Sequence, residues 1–159
     1  MKHLPKHLRP RWRYLAVGIE GWPDADIARG EFQRELWYAA QNLLGDAGSA
    51  DADLTVLDFT FADGTGETIV RVRHGHVDDA RAALACLDRV GGDQIGVRVR
   101  GVSGTIRACE ESYLGRAPED SQERNVAFEG EQRPATARGD RVDVRVDGSY
   151  VGATELDFK

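Results

Sequence analysis

Between residues 11 and 102 the apolar positions switch repeatedly between a two-residue repeat and a helical repeat of about 3.6 residues. RWRYLAVGIE, residues 11–20, is rich in β-formers and apolar toward its end, so it reads as a strand. GWPDAD breaks it. RGEFQRELWYAAQNLLGDAG then sets Phe32, Leu36, Ala39, Ala40, Leu43 and Leu44 at helical spacing, with Asp26 as N-cap and Gly45 or Gly48 as the stop. LTVLDFTF and TIVRVRH are two strands joined through ADGTGE, which makes them a hairpin. VDDARAALACLDRVGG is a second helix. Asp78 and Asp79 sit at its positive end, Ala80, Ala83, Leu84, Leu87 and Val90 form its stripe, and Gly91-Gly92 end it. QIGVRVRGV is a fourth strand, and TIRACEESYLGR a short last helix.

The order βαββαβ, then α, predicts an α+β domain of the ferredoxin-like type. Both long helices of that fold cover one face of the sheet. Val70 and Val72 alternate with Arg71 and Arg73, and Ile95, Val97 and Val99 with Arg98 and Arg100. If the apolar set faces the helices, those arginines share the opposite face. Like charges so clustered repel unless an anion, or the acidic C-terminal segment, neutralises them.

The pattern changes after Arg116. APEDSQERNVAFEGEQRPATARGD is polar and acidic and reads as a linker. RVDVRVDGSYVGATEL reads as a hairpin, with alternating valines, an Asp147-Gly148 turn, and Tyr150, Val151 and Leu156 beyond it. The expected organisation is a domain over 1–116, with a basic arm at 1–13, and an acidic extension over 117–159.

Charge is unevenly placed. Residues 1–13 carry Lys2, Lys6, Arg9, Arg11 and Arg13 and no acid. Residues 14–116 carry 10 basic against 17 acidic residues, and 117–159 carry 6 against 10. A basic arm on an acidic body fits a polyanionic partner, or else a merely solubilising N-terminus. Of the 21 basic residues only Lys2, Lys6 and Lys159 are lysine. Abundant acids with arginine in place of lysine resemble the composition of proteins from extreme halophiles. In ~1 M salt the Debye length is about 3 Å. Binding of a polyanion then rests on short, matched contacts, for which the arginine fork is the better group. The apolar runs are far shorter than the ~20 residues of a membrane helix. The basic N-terminus lacks the apolar region of a secretory signal, so a cytoplasmic location is expected.

Catalytic constellations fail one by one. A cysteine-phosphatase loop needs five residues between Cys and Arg, and six separate Cys109 from Arg116. Gly101-Val102-Ser103-Gly104-Thr105 misses the last glycine of a G-x-S-x-G elbow. His74-Gly75-His76 lacks an acid or thiol at ligand spacing and reads as a pair of solvated turn histidines. The two cysteines, Cys86 and Cys109, read as small buried hydrophobes. No protein-borne active site and no protein-bound metal are expected. What remains is Ser103-Gly104-Thr105 at the start of a helix, with Arg107 two residues on. That turn is either an ordinary Ser/Thr cap or a phosphate-binding helix terminus, and the residues allow both.

LPKHLRPRWRYLAV, IVRVRHGHVDDARAAL and VRGVSGTIRACEESYL, in that order and spacing, resemble the archaeal ribonuclease P protein component 2 family. That family is related to a small processing-of-precursors subunit of the eukaryotic enzyme. The resemblance covers about residues 1–116, and R-x-R-Y and S-G-T-I-R-x-C are its most specific parts. It implies a ferredoxin-like or RRM-like fold. It also implies a subunit of the ribonucleoprotein endonuclease, a hydrolase, that removes the 5′ leader from precursor tRNA. Catalysis would belong to the RNA subunit and its Mg²⁺. The protein would pair with protein component 3, as a dimer or heterotetramer, to support the catalytic RNA, meeting precursor tRNA only indirectly.

The residues that match are Arg11, Arg13 and Tyr14, then Arg71 and Arg73, then Ser103, Gly104, Thr105, Ile106 and Arg107. With Lys2, Lys6 and Arg9 of the arm, all but Ile106 make up the expected RNA-binding set. TIVRVRHG lacks the aromatic signature of ordinary RRMs, so backbone contact to folded RNA is expected over single-strand stacking. The alternative is a non-catalytic protein-interaction module, its arginine face covered by acidic partners or by its own tail.

Overall fold

The computed structural model describes residues 5–115, 121–138, 141–147 and 149–153. Lys2, Arg116, Gly148, Leu156 and Lys159, named above, lie outside the described residues. The chain divides into two compact units, Met1–Arg116 and Ala117–Lys159.

In the first unit a 3-10 turn at Lys6–Leu8 leads into β1 (Trp12–Gly21), α1 (Arg29–Ala52), β2 (Thr55–Ala62) and β3 (Thr65–Arg73). Then follow α2 (Val77–Ala85), β4 (Arg89–Val90), β5 (Asp93–Ser103) and α3 (Ile106–Tyr113). The strands pair antiparallel in the order β2-β3-β1-β5-β4. Setting aside the two-residue β4, this is the predicted ferredoxin-like α+β arrangement. Leu15, Val17 and Ile19 of β1 and Val70 and Val72 of β3 face α1 and α2. They meet Phe32, Leu36, Ala80, Ala83 and Leu84, all essentially without exposure. Each large side chain so buried contributes about 1.5–3 kcal/mol. On the other face Ala16 and Ile69 are buried against Cys109 of α3, with Tyr14, Leu57 and Tyr113 packed around them.

Several local expectations are corrected. Asp26 does not cap α1; Ala28 precedes it, with no side-chain cap. The helix start is tied instead to β2, through Arg29 Nε and Nη2 donating to the Val56 carbonyl at 3.0 and 2.7 Å. Gln33 continues this role: its Oε1 accepts from Val56 N at 2.7 Å, and its Nε2 donates to Leu54 O at 3.4 Å. Trp37 Nε1 donates to Leu54 O at 2.8 Å. Arg29, Gln33 and Trp37 recur every four residues, so one polar stripe of α1 closes the outer edge of β2 against further pairing. Gly45, one of the two expected stops, does break the helical geometry (φ +75°, ψ 172°), but a second helical stretch follows it to Ala52, ahead of the left-handed Asp53. Leu43, placed in the apolar stripe, is 47% exposed. α2 stops at Ala85, and Leu87 and Val90 reach the core from beyond its end. Gly91 (φ +60°) then turns β4 into β5.

The second unit corrects the linker reading. Residues 121–138 are not structureless: β6 (Ser121–Phe128) pairs with β7 (Glu131–Arg138), followed by β8 (Arg141–Val146) and β9 (Ser149–Ala153). The four strands form an antiparallel meander. The expected β8–β9 hairpin is present, with Asp147 in its turn. Val126, Ala135, Val142 and Val144 make its small core. On the other face Arg138, 3% exposed, donates to Asp143 Oδ2 at 2.7 Å. Among the described residues no helix is long and apolar enough to cross a membrane.

Candidate nucleic-acid interface

Strand register gathers the predicted residues of β1, β3 and β5 at one end of the sheet. Thr55 pairs with Arg71, Arg71 with Tyr14, and Tyr14 with Ser103, so β2, β3, β1 and β5 contribute to one row. In the next row Trp12 pairs with Arg73. By alternation Trp12, Tyr14, Arg71, Arg73 and Ser103 all lie on the face that carries α3. The basic arm enters β1 at this same end.

Trp12 was not among the expected site residues, yet it organises the cluster. The Arg71 guanidinium carbon lies 4.0 Å from the Trp12 ring centroid and that of Arg73 lies 4.7 Å from it. Such contacts contribute about 0.5–2 kcal/mol, more as water is removed. Arg73 also pairs with Asp53 at 3.7 Å, both side chains well exposed. Arg71 has no hydrogen bond or ion pair among the described residues. The signal was in the sequence: R-W-R-Y places an aromatic between the arginines, on the opposite side of the strand from both.

That alternation separates the opening motif. Arg13 pairs with Val72 and so points to the helix-covered side, away from Arg71 and Arg73. Its Nε is buried without a partner among the described residues. Arg11 is exposed at the entry to β1, its carbonyl accepting from His74 N at 2.9 Å. Lys6 and Arg9 are exposed ahead of it.

The Ser103–Thr105 turn carries the Ser/Thr cap that the sequence allows. Thr105 is the N-cap of α3, its hydroxyl accepting from Ala108 N at 3.1 Å. Gly104 has no positive φ, and a Cβ there would meet nothing within 4 Å, so no backbone demand for glycine exists at that position. Arg107 is exposed and pairs along the helix with Glu111 at 2.9 Å, an arrangement worth at most a few tenths of a kcal/mol. Ser103 pairs with Tyr14 in the row that holds Arg71, and Thr105 and Arg107 follow it into α3.

All four sheet arginines are on the expected face, but one neutralising group was missed. Glu67 Oε1 accepts from Arg100 Nη1 at 2.8 Å, and Glu67 Oε2 accepts from Gly115 N at 3.2 Å. Arg100 lies across Gly18, whose hydrogen leaves room for it: an added Cβ would stand 2.9 Å from Nε. This clasp ties the end of α3 to the sheet. Near its middle Cys109 is buried, its thiol donating to Tyr14 O at 3.8 Å. Burial, and then the neighbouring Glu110 charge, push the Cys109 thiol up to about 11. Cys86, expected to be buried, is exposed just past α2. His74 is exposed at its turn, and His76 is held by Asp79 at 3.0 Å.

These positions give a simple chemical expectation. At pH 8 a water-soluble disulfide reagent should titrate Cys86 quickly and Cys109 only on unfolding. Because the folded Cys109 holds its proton to a higher pH than the unfolded chain does, it leaves stability unchanged below about 9. It should lower stability as pH rises from about 9 toward 11. Two fast thiols in the native protein would contradict the packing of α3.

The sequence profile of the Rpp14/Pop5 family matches residues 13–114. "Ribonuclease P protein component 2" of Halorubrum lacusprofundi is 66% identical over 157 residues, 99% of each chain. The protein of the same name from Haloarcula marismortui is 63% identical over 161 residues, 100% of each chain. That from Methanosarcina acetivorans is 38% identical over 114 residues, 72% of this chain and 82% of its own. A chain in a cryo-EM structure of yeast ribonuclease MRP matches with TM-score 0.46 and 16% identity, over 65% of this chain and 79% of that one, too slight a likeness to bear on the site. The acid-rich, lysine-poor composition agrees with the haloarchaeal relatives. With its profile match spanning β1 to α3 and its relatives matching end to end, the chain belongs to the Rpp14/Pop5 family.

Proposed function

We propose that this chain is a protein subunit of ribonuclease P, acting on the RNA of the enzyme that removes the 5′ leader from precursor tRNA. The observation that carries this reading, beside the family, is the cation-rich sheet end at which Arg71 has no anionic partner among the described residues. In this reading the RNA subunit is the catalyst and holds the Mg²⁺, while the protein stabilises its fold. Precursor tRNA is met only through that RNA. The basic arm, Trp12, Arg71, Arg73 and the Ser103–Arg107 segment face RNA backbone.

The protein-interaction reading describes a second face. Tyr38 and Leu43 stand 52% and 47% exposed on α1 and line one groove with Ala39, Cys86 and Leu87, an apolar surface suited to another protein. Protein component 3 is the partner we assign to it, in a dimer or heterotetramer, within the cytoplasm. RNA binding tests the first face directly. The full chain should bind a folded ribonuclease P RNA transcript more tightly than a single-stranded oligomer of equal length. Equal binding of both would favour non-specific attraction instead.

A further inference from the structure

Arg71 is a half-buried cation that the fold itself leaves without an anion. Its Nε is buried without an acceptor, and its one partner among the described residues is the Trp12 ring. Three other arginines of this face have acidic partners. Arg100 is bound to Glu67, Arg107 to Glu111, and Arg73 touches Asp53 loosely at 3.7 Å. Arg71 and Arg73 are two residues apart on one strand, so their side chains leave the same face of the sheet. The ring between β1 and β3 is within 4.7 Å of both guanidinium carbons.

Resting on the reading above, we propose that Trp12 is a positioning residue: its ring holds Arg71 and Arg73 together as a fork for one backbone phosphate of folded RNA. A tryptophan beside basic residues in an RNA-binding protein would ordinarily suggest base stacking. Here the ring is already occupied by guanidinium groups at stacking distance. The site therefore takes the phosphate, which every nucleotide carries, and not the base. Pre-orientation matters most where salt is high. With a Debye length of about 3 Å at ~1 M salt, only cations already within contact distance still attract a phosphate. Arginines held by a ring need no long-range field to find it, and the planar fork matches two phosphate oxygens. Asp53 is the group a phosphate would displace from Arg73.

The test uses the full chain and a ribonuclease P RNA transcript, with affinity measured across a salt series to ~1 M. Trp12→Leu removes no charge, yet it should weaken binding about tenfold, as should Arg71→Ala. Trp12→Phe should restore part of the loss, because a smaller ring still holds a guanidinium. Arg71→Lys, which keeps the charge without the fork, should fall between wild type and Arg71→Ala. The double variant Trp12→Leu/Arg71→Ala should bind no worse than Arg71→Ala alone, since both changes remove one device. Thermal melts confirm that each variant folds. If Trp12→Leu binds as wild type while Arg9→Ala and Arg107→Ala weaken binding, the RNA-subunit reading stands and this inference fails. If Trp12→Leu weakens binding of a poly(U) strand while Arg71→Ala does not, the ring stacks on bases and the proposal is overturned. If no variant of the arm, the cluster or α3 affects RNA affinity, both readings fail together.

Discussion

Gly101→Val is expected to detach α3 from the sheet. Tyr113 lies directly over Gly101, and an added Cβ would overlap its ring carbons, so the ring cannot stay where it is. Moving Tyr113 loosens Cys109 from Ala16 and Ile69 and pulls on the Arg100–Glu67–Gly115 clasp. Lost aromatic burial and overpacking together should cost about 3 kcal/mol. The effect should be local. α1, α2 and the other face of the sheet do not depend on α3. Cys109 should become reactive at pH 8, and RNA affinity should drop because the Ser103–Arg107 segment moves. A variant with wild-type stability and a silent Cys109 would mean that α3 is not seated by Tyr113.

The fold was legible where period and polarity agreed. Val70 and Val72 alternating with Arg71 and Arg73 placed β3 correctly, face and all. Legibility failed where a polar residue does a core residue's work. Arg29 and Gln33 looked like solvent positions of α1, but their hydrogen bonds to the β2 backbone make Gln33 one of the most buried polar residues of the unit. Hydrophobic periodicity is blind to such stripes. The β6–β7 hairpin was missed for a related reason. Along its inward face Arg124 and Arg133 stand beside Val126 and Ala135, so apolar alternation is diluted. Its turn, Glu129-Gly130, has positive φ at both residues (+50° and +82°), as do Asp63 and Gly64 in the β2–β3 turn. Asp-Gly is a strong turn signal and Glu-Gly is a weak one, so the first hairpin was read and the second was not. At the candidate site the arginines were readable from the chain. The R-W-R-Y alternation put Trp12 on the strand face away from Arg11 and Arg13, but only the register that sets it against Arg73 shows which arginines it meets.

Phe32→Ala should be the most destabilising single change in the first unit. The ring is fully buried between α1 and the sheet, 5.5 Å from the Phe59 ring and tilted 39° to it. Removing a buried phenylalanine costs about 3–5 kcal/mol, a large part of the 5–15 kcal/mol typical of a domain. The urea midpoint should fall accordingly, and Phe32→Leu should recover most of the loss. Phe32 lies on the helix-covered face, opposite the arginine–tryptophan cluster. Any Phe32→Ala protein that remains folded should therefore bind RNA as the wild type does. A large loss of affinity in folded protein would show that the two faces are coupled.

Under the proposed function this chain serves the catalytic RNA and does no chemistry itself. Cleavage of precursor tRNA should be reconstituted from the ribonuclease P RNA, protein component 3 and this chain, with Mg²⁺, and then repeated with each omitted in turn. Omitting this chain should sharply reduce the rate without moving the cleavage site, and adding it without the RNA should give no cleavage. An unchanged rate on omission, or metal-dependent cleavage by the protein alone that a point mutation in this chain abolishes, would contradict the account.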